Sequence, residues 1–310
     1  MKRVVKKIDE LVNTTSKNHN FEFKLLERRM SEREMIYIDG GNTEIITSPE
    51  ISVQIIRTAA TIFKQNTKQE IIKKEFYCIC NDNISELIPL NKDKTSFITK
   101  FKEKLNTSKQ GEITRRILEL ELAKEITNNT KDGATIVLDG SLEITSETEK
   151  DYMNQLIKEV KNKDILLSSL IKTDRTLEDK KSIIAILQNH PNTPKKPWML
   201  KYEQSNSTTI TKTYVKLNNK SQHIFRFETL NEQTKNLDIS KIIGLLISNS
   251  EDPIFPGYPY GLILADQFAR VTNEEKDYFR LKLLTILNQN PKIKALESAL
   301  NAHEMLDTIY

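Results

Sequence analysis

Two aspartates in this sequence each end a short apolar segment and directly precede a glycine. Asp39 follows Ile-Tyr-Ile and Asp139 follows Ile-Val-Leu, and the two lie 100 positions apart. Such segments predict buried strands, and the glycine permits a sharp turn after each aspartate. If both strands belong to one sheet, the two carboxylates meet at its edge and can hold a hard divalent cation beside a phosphate. The pattern indicates metal-dependent phosphodiester chemistry; the alternative is that each aspartate is an ordinary turn residue.

A site with two carboxylates is incomplete, since such sites usually take three or four ligands from different elements. The helical segment before Asp139 contains Glu119 and Glu121, which are two positions apart and so point to different faces of a helix. At most one of them faces the site, and both have a surface-charge alternative; Arg115, one turn earlier, can pair with Glu119. Asp266 lies among apolar neighbours after Gly-Tyr-Pro, where a buried acid needs a partner such as a metal ion or an arginine.

Basic residues at two strand positions are candidates for phosphate binding. Lys172 follows an apolar strand-like segment, where its ammonium group could hold a scissile phosphate or activate a water molecule. A lysine at a strand end is otherwise solvated. Arg226 and Glu228 alternate with phenylalanines, so a strand there places both charges on one face. That pair is either a phosphate clamp or a surface ion pair, which is the commoner arrangement.

Several other kinds of site are missing from the sequence. It contains neither a P-loop motif nor the Gly-x-Ser-x-Gly motif of serine hydrolases. Its four histidines are scattered without a His-x-x-x-His pair, which argues against a zinc hydrolase. Cys78 and Cys80, the only cysteines, share one face of a predicted strand and fit neither a zinc site nor a disulfide framework.

The composition is that of a globular protein. The 310-residue chain is 37% hydrophobic and 29% charged, which is sufficient for a sizeable core in one large domain or two small ones. We expect a single domain over 1–310. A net charge of +4 permits a nucleic-acid partner without demanding one. The sequence has no stretch of about 18 apolar residues that could span a membrane, and its N-terminus lacks the apolar core of a signal peptide. We therefore expect a cytoplasmic protein with no membrane partner.

The predicted elements describe an α/β protein with a mixed, largely antiparallel sheet flanked by helices. A helical lead is expected over residues 1–34 from its apolar stripes. Segments rich in β-branched residues then predict an antiparallel meander, at 35–39, 44–47, 51–64 and 69–80. Helices and strands alternate next, at 112–128, 135–138, 147–162 and 164–171. The remaining elements are a polar excursion or cap over the site at 174–206, strands at 208–216 and 222–228, a helix opening near 260, and C-terminal helices at 273–289 and 292–307.

The order of phrases along the chain resembles the NurA nuclease family. The phrases are Ile-Asp39-Gly-Gly, Arg-x-x-x-Glu119, Leu-Asp139-Gly-Ser-Leu, Lys172-Thr, Phe-Arg226-Phe-Glu and Gly-Tyr-Pro-Tyr-x-Leu-x-x-Ala-Asp266. The similarity spans about residues 35–270, and Asp-Gly-Ser-Leu and Gly-Tyr-Pro are its most specific parts. It implies an RNase H-like core with manganese or magnesium in the site. It also implies 5′-to-3′ exonuclease and single-strand endonuclease activity on DNA, and a toroidal dimer that docks onto the hexameric translocase HerA for DNA-end resection.

The resemblance assigns metal-binding roles to four acids. Asp39, Glu119 and Asp139 fall on the family's metal-binding acids, and Glu121 remains an alternative to Glu119 because it is only two positions away. Asp266 falls where many members carry a histidine. Aspartate and histidine both bind Mn²⁺, but an aspartate should favour a harder, all-oxygen shell and Mg²⁺.

The resemblance also implies contacts outside the metal shell. Lys172 and Arg226 would contact DNA phosphates, and Tyr258 would help to form the wall of the DNA channel. The apolar stripe at 4–12 and the C-terminal helices over 271–310 are the expected contacts for the dimer and the motor. Two other functions share these features: an RNase H-like, structure-selective endonuclease that needs no translocase, and a catalytically silent subunit that binds DNA or clamps a motor.

Overall fold

The computed structural model describes residues 1–4, 20–30, 32–47, 51–81, 84–90, 100–102, 107–178, 181–202, 209–235 and 237–287. Its strands are β1 (Lys24–Leu25), β2 (Met35–Thr47), β3 (Ser52–Lys64), β4 (Thr67–Cys80), β5 (Ile84–Pro89), β6 (Lys100–Lys102), β7 (Thr135–Asp139), β8 (Leu166–Ile171), β9 (Leu177–Glu178), β10 (Lys181–Ser182), β11 (Trp198–Tyr202), β12 (Ile210–Lys216) and β13 (Phe225–Leu230). Within these ranges eleven strands form one sheet, in the order β1-β11-β12-β13-β8-β7-β2-β3-β4-β5-β6, and β9 pairs separately with β10.

Parallel and antiparallel pairing meet at the centre of this sheet. β2, β7 and β8 are parallel neighbours, whereas β8 and β13 are antiparallel. The long strands β2, β3 and β4 form the antiparallel meander that their β-branched content predicts. Because parallel strands end at the same edge, the residues that follow β7 and β8 lie next to each other.

Helices cover both faces of the sheet. They are α1 (Thr107–Asn129), α2 (Glu147–Asn162), α3 (Ile183–Asn189), α4 (Asn231–Thr234), α5 (Ile239–Ser248), α6 (Tyr260–Ala269) and α7 (Asn273–Leu287). α2 has the predicted bounds, since Ser146 caps it by accepting a hydrogen bond from the Glu149 amide at 3.1 Å. None of the described helices is both long enough and apolar enough to cross a membrane.

Alternate residues of the central strands contribute to two different hydrophobic clusters. Val137 packs in a cluster with Leu262 of α6, whereas its neighbour Leu138 packs with Leu122 of α1 and Leu156 of α2. α5 lies on the same face as α6. The sheet is therefore buried between two helical layers, and the predicted fold class, a mixed, largely antiparallel sheet flanked by helices, is confirmed.

Two predicted segments differ from the structure. Residues 20–30 are not a helix, because part of this stretch is extended and pairs as β1 with the edge strand β11. The 174–206 segment is more regular than predicted, since its described residues contain β9, β10 and α3 and then join the sheet as β11. Trp198 of β11 is buried in a cluster with α3 and β12. The apolar stripe at 4–12, except its first residue, and the helix predicted at 292–307 lie outside the described residues.

Candidate metal centre

Asp39 and Asp139 lie side by side because β2 and β7 are parallel neighbours in register. The residues immediately before them, Ile38 and Leu138, are direct partners in that pairing. β7 ends at Asp139, as predicted, but β2 continues well past Asp39 as an extended strand. The prediction of a strand end at Asp39 is wrong, because antiparallel pairing with β3 keeps the backbone extended there. The two carboxylates meet at the edge where β7 stops.

Gly40 and Gly41 permit close approach of neighbouring elements rather than a turn. A Cβ atom on Gly40 would lie 2.5 Å from Glu119 Oε1 of α1, and one on Gly41 would lie 2.4 Å from the carbonyl oxygen of Ala269 in α6. These glycines therefore let α1 and α6 pack against β2 next to the first aspartate. Gly140 does fit the predicted turn, since its φ of +101° is a conformation that glycine adopts readily.

A third carboxylate comes from α6. Asp39, Asp139 and Asp266 each present an oxygen, and these three oxygens lie within 4.8 Å of one another. Asp39 is buried and the other two are half-buried. The start of α6 is held by Asn249, whose side-chain oxygen accepts a hydrogen bond of 2.8 Å from the Gly261 amide. Two strands and one helix thus bring together three acids that are far apart in the sequence.

A lysine ammonium group lies against these carboxylates. Lys172 follows β8, and its Nζ is 2.6 Å from Asp139 Oδ2 and 3.3 Å from Asp266 Oδ1. Burial by itself would lower the pKa of Lys172, but the negative charges of Asp139, Asp39 and Asp266 outweigh it and raise the pKa. The amine is therefore held in its charged form. On the solvent side, Arg270 Nη2 is 2.6 Å from Asp266 Oδ2.

The surroundings of Asp39 disfavour its charged form. It accepts a hydrogen bond of 2.7 Å from the Gly40 amide. Burial, together with the charges of Asp139 and Glu119, raises the pKa of Asp39 to about 9, despite the nearby Lys172. A carboxyl group with that pKa stays mostly protonated at neutral pH unless a further cation approaches it. Lys172 alone therefore does not compensate the negative charge around Asp39.

The two glutamates of α1 have different surroundings. Glu119 is 1% exposed, and its oxygens lie 2.5 Å from Arg115 Nη1 and 3.0 Å from Arg116 Nη1. Glu121 pairs instead with Lys124, at 2.5 Å. Of the two, only Glu119 packs against Gly40, beside the aspartates. It is not a member of the three-carboxylate group, so its role as a metal ligand stays a prediction.

The donor set fits a divalent cation that prefers oxygen. Three carboxylate oxygens from three elements are close enough to share one ion, and they leave room for water or phosphate to complete its shell. Mg²⁺ and Mn²⁺ are the common ions for carboxylate-rich sites of this kind. A divalent charge here would also offset the burial and the repulsion from Asp139 and Glu119 that together raise the pKa of Asp39.

Two residues predicted to contact DNA are buried. Arg226 is 7% exposed, and its guanidinium group pairs with Asp174 and Glu228. Tyr258 is 1% exposed, and the centre of its ring is 5.0 Å from Lys172 Nζ. The predicted phosphate contact of Arg226 and the predicted channel-wall position of Tyr258 do not match these locations, because neither side chain has a substantial surface exposed to solvent.

Other charged residues near the centre were not predicted from the sequence. Arg270 lies four positions after Asp266, and this helical spacing was a usable signal for their ion pair. Arg116 donates a hydrogen bond of 2.5 Å to the carbonyl oxygen of Ser141, in the turn after β7. No sequence pattern indicates that contact, since the two residues belong to elements that meet only in the folded chain.

The comparisons with known proteins point to one family. A family model described as the NurA domain matches residues 34–271, whereas no curated protein matches the sequence. Among solved structures, the NurA nuclease from Sulfolobus solfataricus is similar, with 15% identity over 87% of this chain and 88% of that chain and a TM-score of 0.56. Endonuclease V from Ciona intestinalis, in complex with DNA, has 12% identity over 79% and 90% of the two chains and a TM-score of 0.44. The catalytic domain of human endonuclease V has 9% identity over 84% and 91% and a TM-score of 0.42.

Proposed function

Because this chain belongs to the NurA family of nucleases, we propose that it is a metal-dependent deoxyribonuclease with Asp39, Asp139 and Asp266 as metal ligands. The observation that carries the proposal is the convergence of these three carboxylates, whose oxygens lie within 4.8 Å of one another. A charged lysine at the same place supports it, because phosphodiester hydrolysis develops negative charge on the phosphoryl oxygens.

Each residue of the centre has a distinct task in this proposal. A divalent ion bound there supplies Lewis-acid activation of water and neutralises charge on the phosphate. Asp39, Asp139 and Asp266 hold the ion, and Lys172 stabilises the phosphoryl oxygens as their charge grows. Tyr258 stabilises the Lys172 ammonium group by a cation–π contact, since the centre of its ring lies 5.0 Å from Nζ. The tyrosine therefore acts on the lysine and not on DNA.

Glu119 is the fourth acid of the proposed centre. Its carboxylate is buried beside Asp39 and pairs with Arg115 and Arg116. From this position it can bind the ion directly or through a water molecule. Arg115 Nη1 also donates a hydrogen bond of 3.0 Å to the Gly40 carbonyl, and so ties α1 to β2 next to the metal ligands.

The substrate and the partners are proposed from the family. We propose 5′-to-3′ exonuclease and single-strand endonuclease activity on DNA, with Mn²⁺ or Mg²⁺ as the cofactor. The protein would act as a homodimer with a hexameric HerA-type translocase in DNA-end resection. The all-oxygen ligand set supports activity with Mg²⁺ as well as Mn²⁺. A monomer in solution at micromolar concentration would contradict the dimer.

Two alternatives remain for the experiment to separate. One is a structure-selective endonuclease with the same acids but no need for a translocase. The other is a catalytically silent subunit that binds DNA or clamps a motor. The presence of three converging carboxylates and a charged lysine favours an active enzyme. Clustered carboxylates repel one another, and a subunit without catalytic activity would gain nothing in return for that unfavourable arrangement.

The test is cleavage of labelled single-stranded and duplex DNA with Mn²⁺, Mg²⁺ or EDTA. We expect cleavage by the unmodified protein with either metal, and loss of cleavage in EDTA or after Asp139→Asn. Asp151→Asn is the matched control, because this exposed residue of α2 is not part of the three-carboxylate group. Equal cleavage by the Asp139→Asn protein would contradict the proposal. Absence of cleavage with every metal, both alone and with a HerA-type translocase, would favour the silent subunit.

A further inference from the structure

Two opposite charges are buried next to each other on one face of β13. Arg226 and Glu228 are two positions apart in the strand, and they are 7% and 0% exposed. Arg226 Nε lies 2.9 Å from Glu228 Oε1. Burying an ion pair costs more in lost hydration than the pair alone usually returns, so a pair in this position calls for additional partners. Both residues have them, and those partners lie in the turns that follow β7 and β8.

Glu228 holds the turn that follows Asp139. Its Oε2 atom accepts a hydrogen bond of 2.7 Å from the Leu142 amide and one of 2.9 Å from Ser141 Oγ. Only Gly140 and Ser141 separate Leu142 from the proposed metal ligand, so these bonds fix where β7 stops. Charged acceptors make strong hydrogen bonds with backbone amides, especially when both are buried.

Arg226 holds the turn that follows Lys172. Its Nη1 atom pairs with Asp174 and lies 3.0 Å from Thr176 Oγ1. The Asp174 side chain is fully buried and also accepts a hydrogen bond of 2.6 Å from the Tyr214 hydroxyl group. Asp174 is two residues beyond Lys172, so its position determines where the lysine leaves β8.

The Arg226–Glu228 pair is separated from the carboxylates by the sheet itself. Phe225 and Phe227 belong to the same hydrophobic cluster as Val137, which shares a face of β7 with Asp139. Arg226 and Glu228 alternate with these phenylalanines, so they project to the opposite face. Neither residue therefore touches the three carboxylates directly.

We propose that Arg226 and Glu228 are positioning residues, which join the turn after Asp139 to the turn after Lys172 and so set the distance between the two side chains. The inference rests on the proposed function for its catalytic meaning, but the mechanical link is independent of it. A single guanidinium group bridges the carboxylates of Asp174 and Glu228 through different nitrogen atoms. Lysine has no such planar fork and cannot replace it.

The first test measures the link without reference to activity. Hydrogen–deuterium exchange of the metal-free protein reports on the amides of Leu142 and Thr176, which donate to Glu228 and Asp174 respectively. After Arg226→Met we expect the amides of both turns to exchange at least about tenfold faster. After the milder Glu228→Gln change we expect the same acceleration only in the turn that follows Asp139. Unchanged exchange in both turns in both variants would overturn the proposal.

The second test asks whether the link serves the metal centre. We expect Arg226→Met and Arg226→Lys to weaken Mn²⁺ binding, measured calorimetrically, by about tenfold, which is typical for residues that orient metal ligands. With DNA, kcat should fall while KM stays nearly constant, because Arg226 does not contact the substrate. A raised KM with unchanged kcat and unchanged Mn²⁺ affinity would instead make Arg226 a phosphate contact and overturn the proposal.

The matched control is Gln54→Leu. Gln54 is a fully buried polar residue of β3 that bonds to Glu44 and Ser52, away from both turns. Its replacement should destabilise the sheet but leave exchange of the two turns and Mn²⁺ affinity unchanged. If the unmodified protein binds no Mn²⁺ and cleaves no DNA, the proposed function fails, and the exchange experiment still decides whether Arg226 and Glu228 join the turns.

Discussion

Lys172 and Asp139 form an ion pair of 2.6 Å across the ends of the neighbouring parallel strands β8 and β7. The same ammonium group reaches a second carboxylate, that of Asp266, at 3.3 Å. One protonated amine therefore neutralises part of the negative charge that the three aspartates concentrate at this edge. An internal cation and a metal ion compete for the same oxygen atoms, and this competition leads to the first prediction.

Lys172→Met should change metal binding and catalysis in opposite directions. The metal-free protein should lose thermal stability, because three carboxylates lose their shared cation. Mn²⁺ should bind several-fold more tightly, whereas DNA cleavage should fall by about 10²-fold or more, as for the loss of other transition-state charge contacts. Thermal shift with and without Mn²⁺, calorimetry and cleavage rates measure the three effects. Lys150→Met, at an exposed position of α2, should alter none of them; weaker Mn²⁺ binding after Lys172→Met would contradict the competition.

Asp39→Asn should stabilise the metal-free protein, with an effect that depends on pH. The pKa of Asp39 is raised to about 9 in the fold from an ordinary value of 3.8. The folded state therefore holds this proton more tightly than the unfolded chain, and loses stability as the pH rises between these values. At about 1.4 kcal/mol per pH unit over this range, the variant should be more stable by about 5 kcal/mol at about pH 8, with the difference vanishing below about pH 4. Urea unfolding across this range is the measurement, and a variant less stable at about pH 8 would refute the prediction.

Gly41→Ala should separate α6 from β2. Its new Cβ atom would lie 2.4 Å from the backbone oxygen of Ala269, which cannot move without the helix. We expect a loss of about 1–3 kcal/mol in unfolding free energy, and weaker Mn²⁺ binding because Asp266 moves with α6. Gly133→Ala is the control: no atom lies within 4 Å of its Cβ position, although its φ of +81° strains an alanine. That control should cost about 1 kcal/mol without changing Mn²⁺ affinity, and equal effects of both variants on metal binding would argue against the packing explanation.

Glu119→Gln and Glu121→Gln should have different effects, because the two glutamates of α1 have different surroundings. Glu119 is buried between Arg115 and Arg116, so its neutral replacement removes the carboxylate charge that pairs with both guanidinium groups. We expect a loss of about 1–3 kcal/mol in stability and a fall in cleavage of at least about 10²-fold. Glu121→Gln should keep cleavage within about twofold, because its partner is Lys124. Denaturant unfolding and cleavage rates provide the comparison, and similar behaviour of the two variants would reject this assignment.

Glu275→Gln should weaken the attachment of α7 to β3. The hydrogen bond and charge of Arg57 lower the pKa of Glu275 to about 2 from its usual 4.5. Its contribution to stability is therefore present above about pH 4.5 and is lost as the pH falls towards 2. Since the side chain is 39% exposed, solvent screening limits the effect to less than about 1 kcal/mol at pH 7. Unfolding at about pH 7 and about pH 3 should show a difference that shrinks on acidification, and a difference that grows would contradict it.

Elements with local signals were predicted well. The helix at 147–162 has the predicted bounds, because a capping serine and a single apolar stripe specify it within its own sequence. β2 was predicted to stop at Asp39 but continues, because the hydrogen bonds that extend it come from β3. Residues 20–30 carry apolar residues at helical spacing, yet pairing with β11 makes part of them extended. The errors fall where a distant segment overrides the local preference.

By itself, the sequence determined which chemical groups the molecule has and which kind of element carries most of them. Apolar periodicity and turn residues act over a few positions, so they identified the strand before Asp139 and the helix that carries Asp266. Only the tertiary structure decided that Asp266 joins the first two aspartates, that Glu119 and not Glu121 faces them, and that Arg226 turns inward. These outcomes depend on strand register and on the packing of helices against opposite faces of one sheet, and both arise from contacts between residues that are far apart in the chain.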